Sequence, residues 1–103
     1  MYKTFIISYV PFMSEDDARK FAAFVQSNVT THQFYFPFFG TILIKSSFDL
    51  NLIVRSYHDY LGGGLFFVAE IDPQKTGGAL DPRMWEWVNS SNPTVPSLQL
   101  GSN

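Results

Sequence analysis

The chain contains no cysteine. That single absence removes disulfides, thiolate metal sites and thiol nucleophiles together. Histidine is scarce as well, with only His32 and His58. A transition-metal centre usually draws on several His or Cys ligands, and these two do not cluster. Positive charge is thin: 7 Lys plus Arg against 9 Asp plus Glu give a net charge of −2. A general nucleic-acid binder needs a basic surface to neutralise phosphates, so this balance argues against tight binding to DNA or RNA of any sequence. Long hydrophobic runs are missing too. The longest, Phe34 to Ile44, is broken by Pro37, Gly40 and Thr41 and is too short to span a bilayer. The opening MYKTFIISYVPFM carries one Lys and a short apolar run, but Ser8 and Pro11 interrupt it and an acidic segment follows. It has no small-residue cleavage site and reads as a strand, not a signal peptide. A soluble protein, cytoplasmic in location, is the expectation.

What is present is an apolar, aromatic-rich chain of 103 residues, 46% hydrophobic and 16% charged. That suits one small domain with a single core. Residues 1–89 carry the element signals, and residues 90–103 form a tail rich in Ser, Asn and Pro. The tail has no element signal of its own unless Val95, Leu98 and Leu100 add an edge strand. The 11 Phe exceed what one small core usually needs, so some are expected on a surface covered by a partner.

Thr4 to Val10 is β-branched and aromatic and predicts a first strand, ended by Pro11. Ser14 followed by Glu15, Asp16 and Asp17 predicts a capped helix start, and Ala18, Phe21, Ala22 and Val25 recur at helical spacing. His32 to Phe36 and Thr41 to Lys45 predict two strands of an antiparallel hairpin around Pro37 to Gly40. A second helix is expected from about Phe48, with Ser47 as N-cap and Leu50, Ile53, Val54, Tyr57 and Leu61 as its stripe. Gly62-Gly63-Gly64 stops it, and Leu65 to Asp72 predicts a fourth strand. Asp81-Pro82 has the grammar of an N-cap followed by Pro at the first helical position, opening a short helix over Arg83 to Val88.

This order is the β-α-β-β-α-β pattern of an α+β, ferredoxin-like fold: an antiparallel sheet with two helices on one face, here followed by a short C-terminal helix. Strand alternation then assigns Ile42 and Ile44, and Leu65, Phe67, Ala69 and Ile71, to the helix side. The open side receives Ile6, Leu43, Phe66 and Val68 among polar residues. Such a face is too apolar to leave in water, which predicts a homodimer that buries Ile6, Leu43, Phe66 and Val68. The alternative is that the tail or the last helix folds back over the sheet.

Three segments, Phe5-Ile6-Ile7-Ser8-Tyr9, Thr41 to Ser46, and Pro82 to Trp87 within ALDPRMWEWVN, resemble the SinR-like proteins. These are part of the ferredoxin-like superfamily that includes the CRISPR-associated protein 2 nucleases. The resemblance covers roughly residues 3 to 89 and implies a ferredoxin-like homodimer. In the nucleases an Asp near the end of the first strand helps bind a divalent metal at the dimer interface. Here Val10 and Pro11 follow Tyr9, so no catalytic site is carried over.

Other chemistry is sparse. Glu70 and Asp72 lie two apart on one strand and could hold Mg²⁺ through oxygen, though a solvated strand end is the simpler reading. Gly62 to Gly64 runs from helix to strand, opposite to a phosphate loop. His58-Asp59 reads as a surface pair. Phe34, Tyr35, Phe36, Phe38 and Phe39 crowd one hairpin, where aromatics can stack on RNA bases or fill a core and a dimer contact. Trp85 and Trp87 face different sides of a short helix, one towards the core. The resulting expectation is a non-catalytic homodimeric protein-interaction module of a small bacterial or phage regulatory or defence-linked system. No catalytic, cofactor or metal residues and no cofactor are assigned. The alternatives are a metal-dependent nuclease of the CRISPR-associated type and a single-stranded RNA binder.

Overall fold

The computed structural model describes residues 2–12 and 14–89. The tail from 90 to 103, with its expected edge strand at Val95, Leu98 and Leu100, lies outside the described residues. The chain runs β1 (Lys3–Tyr9), α1 (Glu15–Ser27), β2 (Gln33–Phe38), β3 (Thr41–Ser46), α2 (Leu50–Leu61), β4 (Phe66–Ile71), a 3₁₀ turn (Pro73–Lys75) and α3 (Pro82–Asn89). It is an α+β protein with one four-stranded sheet, ordered β2-β3-β1-β4, in which every neighbouring pair is antiparallel.

Local chemistry accounts for most boundaries. Ser14 Oγ accepts the Asp17 N–H at 3.0 Å and starts α1, whose first turn carries Glu15, Asp16 and Asp17. The α2 cap falls at Asp49, not at Ser47. Ser46 Oγ takes the Phe48 N–H at 3.0 Å, which turns the chain, and Asp49 Oδ1 then accepts the Leu52 N–H at 2.9 Å. Gly62 closes α2 at φ 60°, donating its N–H to His58 O. Asp81 caps α3 by accepting the Arg83 N–H at 2.9 Å. Gly40 turns β2 into β3 at φ 79°, and a Cβ there would meet Tyr9 O at 3.0 Å. β2 extends through Pro37, which an edge strand tolerates because an outward N–H is not needed there.

Both faces of the sheet are covered. On one, α1 and α2 set Phe21, Val25, Ile53 and Tyr57 against Phe5, Ile7, Phe34, Ile42 and Ile44. On the other, α3 lays Trp87 and Val88 on Tyr35 and Leu43, with Ile6, Ile71 and Met84 around them. The last helix folding back over the sheet is therefore the arrangement found.

The register corrects the expected faces of β4. Val68 lies opposite Ile7 and Phe66 opposite Tyr9, so both point to the α1/α2 side, where they join the larger core. Phe67, Ala69 and Ile71 share the α3 side with Ser8, Ile6 and Thr4. The physical reason is that both faces of β4 are apolar, so alternation alone cannot orient it and pairing with β1 decides. The expected dimer residues thus do not form one surface. Ile6 and Leu43 sit beneath α3, with Leu43 only 6% exposed, and Phe66 and Val68 lie half-buried on the opposite face.

Candidate functional site

The α3 side of the sheet carries the unusual chemistry. β3 is a central strand and every one of its residues is buried, including Lys45 at 1% exposure. Lys45 Nζ donates to Thr4 Oγ1 at 3.0 Å and to Val88 O at 2.9 Å, and it lies 4.9 Å from the centre of the Trp87 ring. Thr4 is the direct cross-strand neighbour of Lys45, so the sheet register builds the first contact. The second ties β3 to one of the last carbonyls of α3, where a cation also meets the negative end of the helix dipole. Trp87 Nε1 in turn donates to Gln33 Oε1 at 2.9 Å. β1, β2, β3 and α3 are joined by one buried polar network.

Among the described residues no carboxylate pairs with this lysine. The ion pairs among the described residues join Arg19 to Glu15 and Asp16, and Lys20 to Asp16, all on the exposed side of α1. Burial therefore acts on Lys45 without a counter-charge and lowers its pKa from 10.5 to about 8. Beside it a cleft of about 550 Å³ is walled by Tyr2, Thr4, Lys45, Glu70, Asp72 and Asn89, among others.

A second cavity, about 330 Å³, lies between the loop 76–80 and the sheet, with Phe38, Leu43, Ile6, Trp85 and Val88 in its walls. α3 stops short of the end of the sheet here. The cross-strand row Phe38, Thr41, Ser8 and Phe67 follows from the pairing, and its two aromatic ends are bare. Phe67 is 64% exposed, and Phe39, at the tip of the β2–β3 turn, is 84% exposed.

The remaining sequence candidates separate. Of the aromatic hairpin, Phe34 and Tyr35 are buried on opposite faces, Phe36 is half-buried in the larger core, and Phe38 and Phe39 alone project. Trp87 is core, whereas Trp85 walls the smaller cavity. Asp72 caps the 3₁₀ turn by accepting the Gln74 N–H at 3.0 Å, and Glu70 is exposed. His32 stacks on Tyr2 with ring centres 3.8 Å apart, and His58 is exposed on α2. Among the described residues no group of three His, Cys, Asp or Glu could hold a metal ion. No helix among them is long and apolar enough to cross a membrane.

In the sequence, Lys45 is visible only as the polar end of a strand. The signal that could mark it is its place in the run TILIKS, a lysine inside a strand that pairs on both sides. Comparison with known proteins returns no match: no family model, no curated protein and no solved structure matches the chain.

Proposed function

We propose that the chain is a non-catalytic, homodimeric protein-interaction module with a ferredoxin-like fold of the SinR-like kind, acting in the cytoplasm. The order β2-β3-β1-β4 with antiparallel neighbours supports the ferredoxin-like part of this reading. The observation that carries the interaction is the bare aromatic end of the α3 side. A projecting ring, Phe39, stands beside an apolar groove walled by its neighbour Phe38 and by Trp85. A ring and a groove on one surface are what a two-fold contact requires, because the ring of each copy can enter the groove of the other. Phe67 extends the same surface. The contact moves from the middle of the sheet, which α3 occupies, to the end where Phe38 and Phe67 are exposed.

Sedimentation velocity at micromolar concentration tests this. The expected result is a dimer that becomes a folded monomer when Phe39→Ser and Phe67→Ser are combined. A wild-type chain that stays monomeric, or a double variant that stays dimeric, overturns it. Both side chains are exposed, so circular dichroism should show the fold unchanged.

A further inference from the structure

Lys45 is left unexplained by a docking surface at the other end of the sheet. A buried ammonium is normally matched by a carboxylate, because desolvation is otherwise uncompensated. Here its partners are two neutral oxygens, Thr4 Oγ1 and Val88 O. Two acceptors match the two N–H bonds of a neutral amine and leave its lone pair free. Lys45 is one of the residues that line a cleft of about 550 Å³, whose walls also hold Tyr2, Glu70 and Asp72. We propose that this cleft is a site for a small carbonyl compound, an aldehyde or a 2-oxo acid, which Lys45 holds as an imine.

The bond changes close without any further reagent. The Lys45 nitrogen adds its lone pair to the carbonyl carbon, and the carbonyl π electrons move to oxygen, which takes up the proton lost from nitrogen. The carbinolamine then loses its oxygen as water while nitrogen forms the C=N bond, so amine plus carbonyl gives imine plus water. The Trp87 ring, 4.9 Å from Nζ, faces the place where a protonated imine would carry its charge. Among the described residues the other charged groups on the cleft are Lys3, Glu70 and Asp72; Thr4, Val88 and Trp87 meet the amine itself. The depressed pKa agrees with this geometry, since an amine titrating near 8 is about a tenth neutral at pH 7, whereas an ordinary lysine is under about a thousandth neutral.

The test uses the full chain with glyoxylate and cyanoborohydride, which reduces the imine to a stable secondary amine, followed by peptide mapping. Lys45 should be modified at least about tenfold faster than Lys3, Lys20 or Lys75 at pH 7. The rate should rise with a midpoint near pH 8. In urea the preference should vanish, because it depends on the fold. Modification that favours the exposed lysines in the folded chain, or a preference for Lys45 that survives in urea, overturns the proposal. Lys45→Arg, shown to be folded by circular dichroism, should lose the fast adduct and keep the slow ones.

Discussion

The two faces of the sheet are built on opposite terms. Under α1 and α2 the strands offer Phe5, Ile7, Phe34, Ile42 and Ile44, and the helices answer with Phe21, Val25 and Ile53, all apolar. Under α3 the same strands offer Thr4, Gln33, Leu43 and Lys45, and one short helix answers with Trp87 and Val88. The first face is non-directional: any arrangement that removes those side chains from water is favoured in proportion to area. The second is directional, because its polar atoms are satisfied only when α3 lies where Val88 O meets Lys45 and Trp87 Nε1 meets Gln33. One face supplies stability, and the other fixes the position of a helix.

This comparison can be broken at its strong side first. Phe5→Ala opens a cavity in the larger core and should cost about 3–5 kcal/mol, read as a lower urea midpoint with unchanged slope. A loss under about 1 kcal/mol would mean that this face is not the main source of stability.

The weaker side should show itself in pH. The unfolded lysine keeps its proton up to about 10.5, and the folded one releases it above about 8. Between these values the unfolded chain binds more protons, so stability rises with pH, by up to about 3 kcal/mol from this group. Below about 8 the burden of the buried charge is present in full and does not vary. Burial raises the pKa of the Tyr57 phenol, which works in the opposite sense: above about 10 the unfolded tyrosine ionises first and stability falls. A maximum near pH 10 is expected in urea titrations, and Lys45→Met should remove the rise that precedes it. A flat profile in the wild type would remove the buried charge of Lys45 from the account.

The smallest effect sharpens the first face. Tyr57 OH and Thr31 Oγ1 are buried and neither finds a partner in hydrogen-bonding geometry, although Thr31 lies near enough to pull the phenol's pKa down slightly against the dominant effect of burial. Proximity without that geometry leaves the Tyr57 hydroxyl unsatisfied. Tyr57→Phe deletes that group without opening a cavity and should be neutral or stabilising by about 1 kcal/mol in thermal unfolding. A loss above about 1 kcal/mol would show that the hydroxyl does have a partner.

The larger face is legible from the amino-acid order alone, because its signals are local: the alternation of Ile42 and Ile44, the stripe of Phe21 and Val25, the Ser14 cap, and the glycine stop at Gly62. The α3 helix is legible too, from Asp81-Pro82. Where that helix lies is not. Its docking joins residues more than forty positions apart, as in Lys45 with Val88 and Gln33 with Trp87, and a lysine in a strand ordinarily reads as wet. The orientation of β4 is hidden for another reason. Phe66 with Val68, and Phe67 with Ile71, are equally apolar pairs, and cross-strand partners alone separate them. The site near Lys45 depends on both of these non-local facts, so no motif announces it.

Tyr2 and Asn89 wall the same cleft, at opposite ends of the described chain. The described chain therefore begins and ends on the walls of the cleft that Lys45 also lines. A segment tethered there experiences an effective concentration in the millimolar range, without any affinity of its own. A segment joined directly at Tyr2 or Asn89 is tethered to a wall of the cleft, whereas the Gly62 to Gly64 turn is not among the residues that line it.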